Sequence, residues 1–107
     1  MRVEVVGGGF VGLTTAIRFV ELGHEVCLLE VLPEKAAALE RGEVPFYEPG
    51  VEEALRSVLG KGLTIGSAEQ ADVVFLCVGT TSREDGSIDL QYVFQAGEEA
   101  AARHPKA

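Results

Sequence analysis

The sequence predicts an α/β fold built on a parallel, doubly wound sheet, and three observations carry that prediction. Short apolar runs alternate with segments of helical composition along the 107 residues, the pattern of strands joined by crossover helices. The first run, Val3, Val5 and Val6, empties into Gly7, Gly9 and Gly12 and then into a helical segment. The run Val73 to Val78 is apolar at every residue, as parallel strands covered on both faces are.

Taken in order, the opening strand leads through a GxGxxG turn into a helix over Phe10 to Leu22, which Gly23 stops before a second apolar run, Val26 to Leu29. Such a turn suits a dinucleotide pyrophosphate. Gly7 permits a tight exit from the strand, Gly9 lets the backbone approach the phosphates, and Gly12 allows helix and strand to pack closely. The anion then lies at a helix N-terminus, where backbone N–H groups and the dipole offset its charge. Glu30 ends the second strand, about 20 positions after the turn, where such folds hold the adenosine ribose hydroxyls. Its charge opposes a 2′-phosphate, so the expected cofactor is NAD rather than NADP; Lys35 is the near cation that would temper the repulsion.

Pro33 to Arg41 reads as a second crossover helix with proline in its first turn and Gly42 as its stop. Gly42 to Gly50 holds two prolines and two glycines and reads as a loop; Val51, Ala54, Leu55, Val58 and Leu59 then recur at helical spacing until Gly60 and Gly62. Leu63 to Ile65 is a short third strand, Ala68 to Ala71 a turn or helical turn, and Val73 to Val78 the fourth strand. Gly79 to Leu90 is a polar loop at the carboxyl end of that strand, where open α/β sheets bind ligands. Asp89 caps, or just precedes, a last helix running through Val93, Phe94, Gly97 and Ala100 to Arg103, and His104 and Pro105 end it.

With right-handed crossovers these elements form a partial Rossmann-like sheet of about four strands in the order 3-2-1-4. Residues 1–107 are then a single NAD-binding domain, incomplete on its C-terminal side. The apolar fourth strand falls at an edge, a liability that natural sheets avoid. A further strand beyond residue 107, or a second copy in a homodimer, is therefore expected to cover it.

Seventeen acidic against nine basic residues give a formal charge of −8, which disfavours nucleic acid and anionic membranes as partners. No apolar run reaches the length of a membrane span and no signal peptide precedes the fold, so a cytoplasmic setting is expected. Cys27 and Cys77 fall in apolar runs without metal-ligand spacing and read as buried structural residues. His24 and His104 read as solvated, Glu52 and Glu53 as complements to a helix dipole, and Arg83, Glu84 and Asp85 as a solvated loop tip. Tyr47 faces a substrate or anchors packing.

GGGFVGL at Gly7 to Leu13, ELGHEV at Glu21 to Val26, RGEVPFYEPGVEEAL at Arg41 to Leu55, ADVVFLCVGT at Ala71 to Thr80 and DGSIDLQYV at Asp85 to Val93 together resemble the nucleotide-sugar 6-dehydrogenases, typified by UDP-glucose and GDP-mannose 6-dehydrogenase. The resemblance covers nearly the whole chain. It implies that Phe10 and Val11 lie against the pyrophosphate, Phe10 standing where the family more often has tyrosine. It implies a ribose role for Glu30, in place of the usual aspartate, and for Lys35. Gly79 and Thr80 would line the nicotinamide side, with Thr81 replacing the proline of a VGTP motif.

Family members oxidise a sugar C6 alcohol to a carboxylate in two NAD-dependent steps through a cysteine-bound thiohemiacetal. Their catalytic cysteine, lysine and aspartate lie downstream of anything matched here, so the resemblance implies cofactor binding with no catalytic residue in residues 1–107, and a nucleotide sugar as substrate only of a longer protein. Two other readings fit parts of the chain. One is the NADH or FAD domain of a disulfide oxidoreductase, which shares the glycine turn but not the YEPG loop or DGSIDL. The other is a regulatory module that senses NAD(H) and signals through dimerisation.

Overall fold

The computed structural model describes every residue except 45, 47, 80, 83, 84 and 87, and describes 81, 82, 88 and 89 by their backbone. In chain order the elements are β1 (Arg2–Val6), α1 (Phe10–Glu21), β2 (Glu25–Leu29), α2 (Pro33–Glu40), α3 (Val51–Val58), β3 (Leu63–Ile65), β4 (Val73–Leu76), β5 (Thr81–Ser82), β6 (Ile88–Asp89) and α4 (Gln91–Arg103). The main sheet runs β3-β2-β1-β4 with every pairing parallel. This is the order that the alternating pattern predicts.

Period-two alternation sorts β1 between the two faces. Val3 and Val5 enter the core with Leu13, Ile17, Leu28, Leu39 and Leu55, on the face covered by α1 and α3. Glu4 therefore points to the other face, where it meets the end of α4 and is fully buried. The sheet is covered on both sides, as β1 requires.

Several expectations need correction. β4 ends at Leu76 rather than Val78, although the Cys77 N–H still donates to the Val6 carbonyl at 2.8 Å. Its residues are half-buried rather than fully covered, and Leu76 is 38 % exposed, because one side of an edge strand has no neighbour. Of the two expectations for residues 68–71, a turn or a helical turn, the helical one does not form, and the chain simply bends at Glu69 and Gln70. The polar loop after β4 contains a short antiparallel pair, β5 with β6, which the turn-rich composition concealed. Of the two placements expected for Asp89, the structure shows the second: it lies in β6, just before the N-cap Leu90, whose own side chain makes no capping hydrogen bond.

The histidines are not the solvated residues expected. His104 is buried, with Nε2 3.2 Å from Glu4 Oε2, and His24 is half-buried, its Nδ1 3.0 Å from the Met1 amine and its ring against Phe19. Glu52, beyond any dipole effect, accepts a hydrogen bond from the Val44 N–H. Cys27 and Cys77 are unbridged and half-buried. Burial pushes both thiols up, and the charges of Glu4 and Glu25 add to the effect at Cys27. Asp85 lies in an exposed turn, while Tyr47, Arg83 and Glu84 lie outside the described residues. No described helix is long and apolar enough to cross a membrane.

Candidate functional site

The carboxyl ends of β1 and β4 flank the point where the strand order reverses, the position at which open α/β sheets bind ligands. Gly7 to Gly12 occupy that point. Gly7 has φ +110°, and its N–H donates to the Leu29 carbonyl at 2.8 Å. A Cβ at Gly7 would overlap the Cys77 carbonyl, and one at Gly12 would overlap the carbonyl of Gly7. Both glycines are thus demanded by packing within the chain.

Gly9 differs. Its backbone is extended, with φ −76°, and a Cβ there would meet nothing within 4 Å. No contact among the described residues calls for glycine at this position, and the space beside it opens at the N-terminus of α1. That terminus has no side-chain cap and no acidic residue in its first turn. Leading N–H groups of α1 are therefore available to an anion. Open space at an uncapped helix N-terminus is the chemistry that suits an anionic group such as a pyrophosphate.

Glu30 follows β2 and is tied to the glycine turn. Its Oε1 accepts the Gly8 N–H at 3.1 Å, and its Oε2 accepts the Leu32 N–H at 3.0 Å. Each carboxylate oxygen retains a further lone pair for a ribose hydroxyl. Lys35 lies in the first half of α2 and is half-buried. Phe10 opens α1, is 48 % exposed, and sets its ring at 78° to that of Phe46 with centroids 5.7 Å apart. Val11 beside it is exposed. Gly79 is exposed, with open space around a Cβ, while Thr80 lies outside the described residues.

Three features escaped the sequence reading. A Cβ on Gly8 would lie 2.8 Å from Leu39 Cδ1 and 3.2 Å from Glu30 Oε1, so the middle glycine of the triplet, unlike Gly9, is crowded by side chains of the protein itself. The unbroken run Gly7-Gly8-Gly9 was the available signal. Val31 and Leu32, directly after Glu30, are both exposed apolar side chains. Phe46 lies in the stretch whose composition predicts a loop, and no local pattern announces its contact with Phe10.

Comparison with known proteins agrees with this geometry. The UDP-glucose/GDP-mannose dehydrogenase family, NAD binding domain, matches residues 1–106. UDP-glucose 6-dehydrogenase of Pseudomonas aeruginosa is 45 % identical over 109 residues, which cover 96 % of this chain and 24 % of that protein. Among solved structures, GDP-mannose dehydrogenase of the same organism, crystallised as a ternary complex, superposes with a TM-score of 0.84 at 32 % identity, over 92 % of this chain and 24 % of its own. UDP-glucose dehydrogenase from Pyrobaculum islandicum gives a TM-score of 0.87 at 35 % identity, over 95 % and 25 %. The chain spans about a quarter of the length of these relatives. A disulfide-oxidoreductase assignment is accordingly set aside. With its sheet order, its glycine turn and a match over nearly its whole length, the chain belongs to the UDP-glucose/GDP-mannose dehydrogenase family, as an NAD-binding domain.

Proposed function

We propose that this chain serves as the cofactor half of a nucleotide-sugar 6-dehydrogenase, an enzyme that oxidises the sugar C6 alcohol to a carboxylate. Gly7, Gly9, Phe10, Val11 and Gly12 hold the pyrophosphate, Glu30 and Lys35 the adenosine ribose, and Gly79 with Thr80 the nicotinamide side. The observation that carries this reading is the open space at Gly9, between glycines whose own Cβ positions are filled by the protein. Bound NAD supplies the hydride acceptor.

The work of this chain is binding and orientation. The N-terminal N–H groups of α1 stabilise the diphosphate charge, and the Glu30 carboxylate, fixed by two backbone donors, accepts from the ribose without having to be ordered at the moment of binding. Nucleophile, general base and sugar site belong, in this proposal, to a longer protein. A cytoplasmic setting fits the unbridged Cys27 and Cys77.

Calorimetric titration with NAD⁺ tests the reading. Saturable binding that Gly9→Val abolishes and that NADP⁺ displaces poorly is expected; undiminished binding by Gly9→Val would overturn the assignment of the turn. A second reading, an NAD(H)-sensing module acting as a homodimer, draws support from the exposed β4 edge and from Phe94, 66 % exposed on α4. Sedimentation of the chain with and without NAD⁺ separates the two, because only a sensor changes its association with cofactor.

A further inference from the structure

We propose that Phe46, in the loop between α2 and α3, is a positioning residue for the dinucleotide turn and acts through the ring of Phe10. The inference rests on the cofactor reading above but concerns a segment which that reading leaves unused. Phe46 is half-buried and packs with Val44 against the core, and the edge-to-face contact with Phe10 leaves the other side of the Phe10 ring toward solvent. Phe10 directly follows Gly9, beside which there is open space. Without Phe46 the Phe10 ring loses its inner wall and gains rotamers that sweep this space.

The first part of the loop, Gly42 to Val44, is itself held by α3. Glu52 Oε1 accepts the Val44 N–H at 3.1 Å, and Arg56 Nε donates to the Gly42 carbonyl at 3.1 Å. Gly42 has φ +78°, and a Cβ there would press on Arg56 Cγ at 2.7 Å. Glu52 and Arg56, one helical turn apart, also face each other at 3.9 Å. Contacts from α3 thus hold Gly42 and Val44, close in sequence to Phe46, whose ring meets that of Phe10 at the start of α1. Holding the ring in place before the cofactor arrives removes an ordering cost from binding.

NADH titrations of the wild-type chain, Phe10→Leu, Phe46→Leu, Phe46→Tyr and the double leucine variant test this, beside amide hydrogen exchange at Leu13, whose N–H closes the first turn on the Gly9 carbonyl at 2.9 Å. Phe46→Leu is expected to weaken NADH binding about five-fold, the worth of one edge-to-face aromatic pair. Phe46→Tyr should bind as the wild type does, and the double variant no more weakly than Phe10→Leu alone. Leu13 exchange in the cofactor-free chain should quicken in Phe46→Leu and not in Phe46→Tyr. Glu52→Ala, which releases the loop and keeps both rings, is expected to reproduce the loss and serves if Phe46→Leu does not fold. Independent losses that multiply in the double variant, or unchanged binding and unchanged Leu13 exchange, would overturn the proposal. Absence of NADH binding in the wild type, with Leu13 exchange still responding to Phe46→Leu, would instead count against the cofactor reading and support the positioning.

Discussion

Gly9 and Gly12 lie three residues apart under opposite constraints. A side chain at Gly9 enters open space, whereas one at Gly12 overlaps the Gly7 carbonyl. Gly9→Val is therefore expected to leave stability within about 1 kcal/mol of the wild type while abolishing NAD binding. Gly12→Ala should lower stability by about 3 kcal/mol through overpacking. Urea unfolding beside NAD⁺ titration of the two variants separates a glycine kept for the ligand from one kept for the fold. Glu30 anchors the Gly8 and Leu32 amides, and in the proposed cofactor reading its charge also disfavours a 2′-phosphate. Glu30→Ala should narrow the preference for NAD⁺ over NADP⁺ roughly ten-fold, the scale of a like-charge contact near a protein surface. Competitive titration of the two cofactors measures it.

At the scale of elements, the attachment of α4 to the sheet depends on a buried charge rather than on apolar area. Glu4 accepts the Ala68 N–H at 2.8 Å, and its other contacts are the Arg103 guanidinium and the His104 ring. Because an ionised carboxylate only accepts, His104 must present Nε2–H to it. α4 buries little else: Ala96 and Ala100 are covered, while Tyr92 and Phe94 are exposed. Glu4→Gln keeps the shape but leaves Arg103 without its counter-charge, so a loss of about 3 kcal/mol is expected. The effect should concentrate in α4. Hydrogen exchange of its amides, measured against those of α1, shows whether the helix detaches alone.

For the whole molecule, this node sets part of the response to acid. Burial by itself would raise the Glu4 pKa; the Ala68 N–H, the Arg103 guanidinium and the His104 ring outweigh it, and the carboxyl titrates below its ordinary value of 4.5. The folded state consequently holds the Glu4 proton less tightly than the unfolded chain does. Its contribution is complete above the ordinary carboxylate value and is lost as pH falls through the lower, folded value. Urea midpoints should fall more steeply from about pH 5 to about pH 3 in the wild type than in Glu4→Gln. The β4 edge has a different consequence. With Leu76 on β4 and Phe94 on α4 both exposed, the chain is expected to self-associate, and Phe94→Glu to reduce this in sedimentation.

Local chemistry made the sheet order, the glycine turn and the family readable from the sequence. Strand and helix periods, the exits at Gly7 and Gly23 and the acid at Glu30 are each written within a few neighbouring residues, and they already pointed to an NAD-binding α/β domain. The sequence by itself determined that much. Glu4 was hidden because an acid between Val3 and Val5 looks like the solvent side of an alternating strand; only the second layer, supplied by α4 a hundred residues later, makes it a buried anchor. The same holds for His104 beside Pro105, for the pairing of Phe46 with Phe10, and for the half-covered β4. Each depends on what the fold brings against it, because burial and charge pairing are set by three-dimensional neighbours and leave no mark in the periodicity of the residues around them.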